Sequence, residues 1–180
     1  MEVTIIHFPL HPETPAQGQL LKDLFAGHDV DINAMYMRMK GLMDAEGLEY
    51  EPRTHTYNSR LAQELGKWAD QQAARAKDYS AIHDALYRAY FVDGQNIGNV
   101  DVLLAVAEKA GLPGEDVRDV VTTRSAQKAV DADWEKSKQY GVTGVPTFVA
   151  GGYGLVGAQP YDALEQLMQT LENPNVPENT

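Results

Sequence analysis

Apolar residues recur at spacings of three and four along most of the chain between residues 31 and 140, and this period predicts a run of α-helices. Polar N-caps precede these runs and glycines follow several of them, as is usual at helix ends. The predicted helices begin at Asp31, at Asn58 or Ser59, at Ser80, Val100, Pro113 and Ser125, and finally at Pro160. Most of the chain is therefore predicted to be helical.

One face of the first predicted helix is rich in methionine. It carries Met35, Met39, Leu42 and Met43. Clustered methionines suit a metal site or an adaptable groove, but at helical spacing they are more typical of a buried stripe. We therefore expect this face to pack in the hydrophobic core.

Short β-branched and aromatic segments predict three strands. Val3–Phe8 is nearly apolar throughout, which is typical of a strand covered on both faces. Thr147–Ala150 and Tyr153–Val156 flank Gly151 and Gly152, a pair that favours a two-residue hairpin turn because glycine readily adopts positive φ. Since a single strand and an isolated hairpin are each marginal in water, we expect all three strands to share one sheet.

Composition narrows the range of partners. The 180 residues include 15 Lys and Arg against 26 Asp and Glu, which gives a formal charge of −11. Scattered basic residues in an acidic chain argue against nucleic acid as a partner. No apolar run is long enough for a membrane span and no secretory leader is recognisable, so no membrane partner and a cytoplasmic location are expected.

Candidate catalytic chemistry is sparse. The chain has no cysteine, which excludes thiolate nucleophiles, disulfides and thiolate metal sites within these residues. Glycine-rich nucleotide loops are absent, and the five histidines form no convincing ligand set. Acid pairs such as Asp131 and Asp133 are assigned to solvated helix faces. We therefore expect no metal and no cofactor.

The most informative segment is Gly141–Val149, where Pro146 directly precedes a predicted strand after a glycine-bearing loop. An X-Pro bond is cis only about one time in twenty, but this context favours a sharp turn into the strand. A cis Val145–Pro146 bond would leave the backbone N–H and C=O of Val145 pointing outward. An extended peptide or the backbone of glutathione could pair with them.

Four segments together carry a family resemblance. They are Gly141-Val-Thr-Gly-Val-Pro-Thr-Phe-Val149, Val156-Gly-Ala-Gln-Pro160, Phe8-Pro-Leu-His-Pro-Glu-Thr-Pro15 and Ala85-Leu-Tyr-Arg-Ala-Tyr-Phe-Val-Asp-Gly94. The chain resembles the DsbA family, and in particular its FrnE-like branch. The resemblance implies an α/β, thioredoxin-like fold, incomplete at the N-terminus, with a large all-helical insertion. It assigns residues 1–18 and 124–172 to the thioredoxin-like domain, 19–123 to the helical insertion and 173–180 to a flexible tail.

The resemblance also defines which half of the family's site is present. The Cys-x-x-Cys turn of this family, or its serine counterpart, precedes the strand that is here predicted to begin at Val3, and no residues match it. We therefore predict no catalytic residue. The substrate-contact loop does match, which implies that Gly144, Val145, Pro146 and Thr147 contact a thiol or peptide substrate, with glutathione as one candidate.

Three functions stay open on the sequence alone. The chain is either a DsbA-like thiol-disulfide oxidoreductase that is inactive in dithiol chemistry, a non-catalytic module that binds peptide or glutathione, or the remainder of a glutathione-dependent isomerase or transferase like hydroxychromene-carboxylate isomerase. In the family's sheet, a strand that no residues match here would lie between Val3–Phe8 and the hairpin. This expected gap leaves three alternatives as well. Val3–Phe8 pairs directly with the hairpin, a homodimer covers the gap, or the start of the chain has been wrongly assigned.

Overall fold

The computed structural model describes residues 3–73 and 77–172. Of these, residues 9–73 and 77–132 form one compact unit, and residues 3–8 with 133–172 form another. The elements in chain order are β1 (Gln19–Leu20), α1 (Leu21–Leu24), α2 (Ile32–Ala45), β2 (His55–Thr56), α3 (Arg60–Ala73), α4 (Ala81–Phe91), α5 (Val100–Lys109), α6 (Gly114–Thr123), α7 (Gln127–Gln139), β3 (Thr147–Ala150), β4 (Tyr153–Val156) and α8 (Tyr161–Glu172). The predicted helices are confirmed close to their predicted starts. The predicted domain boundaries stay a prediction, and the predicted tail lies outside the described residues.

The core of the first unit is built by helices α3 to α6. Leu65 of α3, Ile82 of α4, Leu103 of α5 and Val117 of α6 have no exposed surface and belong to one apolar cluster. Burying each such side chain stabilises the fold by about 1.5–3 kcal/mol. Helix α5 begins at Val100 as predicted, and Asn99 caps it, because its side-chain oxygen accepts hydrogen bonds from the backbone N–H groups of Asp101 and Val102.

The predicted core stripe of α2 is wrong. Met35, Met39 and Leu42 are 48%, 39% and 47% exposed, and no residue of α2 is buried. The sheltered face of the helix is centred instead on Tyr36, whose ring stacks on Tyr50 with ring centres 5.8 Å apart. Both faces have helical spacing, so the period identifies the helix without identifying which face docks.

A short antiparallel ladder between β1 and β2 was not predicted. It pairs Gln19 with Thr56 and Leu20 with His55. Two residues on each side are too few for an alternating pattern to be visible in the sequence. Gly18 precedes the ladder with φ +86°, and a Cβ there would lie 2.9 Å from the Thr56 carbonyl oxygen, so this approach requires glycine.

The second unit contains the predicted hairpin. Strands β3 and β4 are antiparallel, with Thr147 opposite Val156 and Ala150 opposite Tyr153. The predicted turn is confirmed, since Gly151 and Gly152 have φ of +57° and +88°. Helix α8 follows the hairpin and contacts β3.

The predicted strand Val3–Phe8 does not form. None of its residues belongs to a ladder, and the sheet of this unit contains β3 and β4 alone among the described residues. An extended segment becomes a strand only where a neighbouring strand satisfies its backbone groups. Here the backbone N–H of His7 donates to the Asp133 carboxylate at 3.2 Å. Direct pairing of Val3–Phe8 with the hairpin is therefore wrong.

Asp133 also differs from its predicted environment. It was assigned to a solvated helix face, but it is only 5% exposed and accepts the hydrogen bond from His7. Burial of a carboxylate is tolerated where a donor compensates for lost water. Asp131 is exposed as predicted and pairs with Arg60. Across residues 3–73 and 77–172, no helix is both long and apolar enough to cross a membrane.

Candidate functional site

The four predicted contact residues lie where the loop after α7 enters β3, with Thr147 as the first residue of the strand. The Val145–Pro146 peptide bond is cis. The Thr147 hydroxyl donates to the carbonyl oxygen of Gly144 at 2.7 Å, which closes the loop on itself. The backbone N–H of Gly157, just after β4, donates to the carbonyl oxygen of Pro146 at 2.8 Å. These two bonds join the loop to the hairpin and fix its position within this unit.

The backbone of Val145 is available for binding. Val145 is 51% exposed, and no residue in the described ranges makes a hydrogen bond with its N–H or its carbonyl oxygen. The loop residues 144–147 include no ionisable side chain. The loop can therefore offer a donor and an acceptor to a ligand, but it supplies no acid, base or nucleophile.

The adjoining edge of β3 extends this row of backbone groups. The bond from Gly157 to Pro146 sets the alternation of the antiparallel ladder, so the N–H and C=O groups of Thr147 and Val149 point away from β4. No other described strand pairs with this edge. Val145, Thr147 and Val149 are called the open edge below. An unpaired strand edge is a template for pairing with another extended segment.

Apolar side chains are exposed on both strands of the hairpin that carries the open edge. Phe148 and Val149 on β3 are each 40% exposed, and Tyr153 and Val156 on β4 are 53% and 58% exposed. Contiguous exposed apolar side chains are a feature of interaction surfaces. The sequence predicted these residues as strand but gave no sign of their exposure, because exposure depends on which elements pack around the hairpin.

Comparison with known proteins identifies the family. The protein-family model described as the DSBA-like thioredoxin domain matches residues 1–169 of this chain. The chain belongs to this family. A similar solved structure supports the assignment. It is the protein described as probable DsbA oxidoreductase SCO1869 from Streptomyces coelicolor. It superimposes with a TM-score of 0.75 and 28% identity over 94% of this chain and 74% of that one.

Two curated relatives match this DSBA-like domain over a smaller part of the chain. The chain is 33% identical to the uncharacterized protein YwbO of Bacillus subtilis over 98 residues, which are 51% of this chain and 48% of that protein. It is 26% identical to the ClpXP adapter protein SpxH of Halalkalibacterium halodurans over 128 residues, 67% of this chain and 40% of that protein. The matches thus span less than half the length of either relative. The DsbA-like family and thioredoxin-like fold predicted from the sequence are confirmed.

Proposed function

We propose that this DSBA-like domain, of the FrnE-like branch, binds an extended peptide or thiol substrate at Gly144, Val145, Pro146 and Thr147 and carries out no dithiol exchange as a 180-residue chain. The observation that carries this proposal is the open edge, where the backbone groups of alternate residues face outward beside exposed apolar side chains. Membership in a family of oxidoreductases supports a thiol-bearing substrate. Val156–Pro160 and the helical segment Ala85–Gly94 support the branch.

Binding would use backbone pairing rather than side-chain chemistry. A peptide laid along the open edge accepts from the N–H of Val145 and donates to its carbonyl oxygen, and the same exchange recurs at Thr147. Each such bond contributes about 0.5–1.5 kcal/mol net, because it replaces a bond to water. The apolar surface of Phe148 adds contact area. This arrangement gives modest affinity and broad tolerance of sequence.

Disulfide exchange needs a thiolate that attacks one sulfur of a disulfide and a second thiol that resolves the mixed disulfide. The chain contains no cysteine, so it can supply neither. Binding and exchange are therefore separable in this chain, which permits a direct test of each.

The reduction of insulin by dithiothreitol tests the proposed inactivity. We expect the full chain to leave the rate at that of the buffer blank, because no thiolate is present to relay electrons. A DsbA-family oxidoreductase with an intact Cys-x-x-Cys turn serves as the positive control in the same assay. A rate above the blank that grows with the concentration of this chain would contradict the proposal.

A further inference from the structure

One half-buried arginine of the first unit, Arg53, lacks the carboxylate partner that the other half-buried arginines have. Three arginines among the described residues are half-buried, namely Arg53, Arg60 and Arg124. Arg60 and Arg124 both pair with the carboxylate of Glu64 at 2.6 Å. Within the described ranges, no carboxylate lies within 4.0 Å of the Arg53 guanidinium. In a chain with 26 acidic residues, this is unusual for a sheltered arginine.

Aromatic rings hold Arg53 in place instead. Its guanidinium carbon lies 4.5 Å from the ring centre of Tyr90 and 5.3 Å from that of Phe91. One guanidinium nitrogen also donates to the Tyr90 hydroxyl. Stacking on rings orients a guanidinium without neutralising it, so the remaining N–H donors keep their full charge for another group.

Arg53 lines a cleft of about 130 Å³. Its lining includes Arg53, Thr54, His55, Tyr57, Tyr90 and Gly94, with no acidic side chain among its lining residues. The Thr54 hydroxyl lies 2.8 Å from Nδ1 of His55, and the imidazole ring stacks on Tyr57 at 5.8 Å between centres. Cationic and hydroxyl groups thus line the cleft together with flat aromatic walls.

We infer that this cleft is a binding site for a small organic carboxylate, with Arg53 as the main partner of its two oxygens. The planar fork of a guanidinium matches a carboxylate in bidentate geometry, and such charge-assisted bonds are the strong ones. A single cation balances a monoanion better than a phosphate, which carries close to two charges at neutral pH. The aromatic walls suit the apolar body of the ligand. This inference does not rest on the proposed function.

Titration of the full chain with sodium benzoate at constant ionic strength tests the site. We expect saturable shifts of the backbone amides of His55 and Gly94, with a Kd of about 1 mM. Arg53→Gln should weaken binding about tenfold or more, because it removes the charged donors. Arg88→Gln is the matched control, since Arg88 is exposed and pairs with Glu49. It should leave the affinity within about twofold.

Where Arg53→Gln folds, three results would overturn the inference. They are the absence of saturation at tens of millimolar benzoate, equal affinity in Arg53→Gln and the parent chain, and tighter binding of inorganic phosphate than of benzoate. If Arg53→Gln does not fold, the shift map of the parent chain decides. Shifts confined to the residues that line the cleft support the site, and shifts spread over the surface contradict it.

Discussion

Replacing Glu64 by alanine is expected to lower the free energy of unfolding by about 3–5 kcal/mol. The Glu64 side chain has no exposed surface. One of its oxygens accepts from Nε of Arg60, and both accept from Arg124, each at 2.6 Å. The hydrogen bond to Glu64 raises the pKa of Arg124 above its usual value. Removing the carboxylate would leave Arg124 without its two-oxygen partner, and Arg60 with only the more exposed Asp131 as a counter-charge.

Urea denaturation of Glu64→Ala checks this expectation, provided that the slope of the transition is unchanged. Asp131→Ala is the matched control, because Asp131 contacts the same Arg60 at 2.6 Å but is 54% exposed. An exposed partner contributes only about 0–1 kcal/mol. Equal losses in the two variants would show that the buried carboxylate is not what holds α3 to the arginine at the end of α6.

Leu65→Ala is expected to cost about 2–5 kcal/mol, because it removes a fully buried side chain and leaves a cavity. Leu65 clusters with Ile82, Leu103 and Val117 at the centre of the helical unit. Met39→Ala is the matched comparison, since Met39 is 39% exposed on α2. Its cost should stay within about 0.5 kcal/mol.

Thermal or urea unfolding of both variants shows whether the core is the cluster around Leu65 or the methionine face of α2. If Met39→Ala lowers the free energy of unfolding by several kcal/mol, the methionine face of α2 is buried in the core, as its spacing predicts. A small loss for Leu65→Ala would contradict the packing of α3 against α4 and α6.

Local chemistry made much of the fold predictable. The side chain of Asp31 caps α2 by accepting from the N–H of Ala34, and Gly47 follows the helix with φ +70°. Both signals lie within a few residues of the helix that they bound. The same holds for the glycine turn of the hairpin and for the loop 144–147, whose residues are contiguous in the chain.

Features that depend on distant partners were not predictable. Val3–Phe8 has the composition of a strand, but strand formation depends on a neighbour that the sequence pattern cannot specify. The docked face of α2 depends on the ring of Tyr50, and the cleft at Arg53, which precedes β2, depends on Tyr90 of helix α4. Segments far apart in sequence meet at each of these places, so local periodicity carries no information about them.

Binding of an extended peptide to the open edge is the central claim, and backbone amide shifts during a peptide titration test it most directly. The probe is a reduced, extended peptide with one cysteine, and the control is the same peptide with proline at alternate positions, which removes its N–H donors. The account predicts saturable shifts at Val145, Thr147 and Val149 with the first peptide, weaker binding of the second, and little change at Phe148, which pairs with Leu155. Unchanged amides along the open edge, or equal binding of the proline peptide, would contradict it.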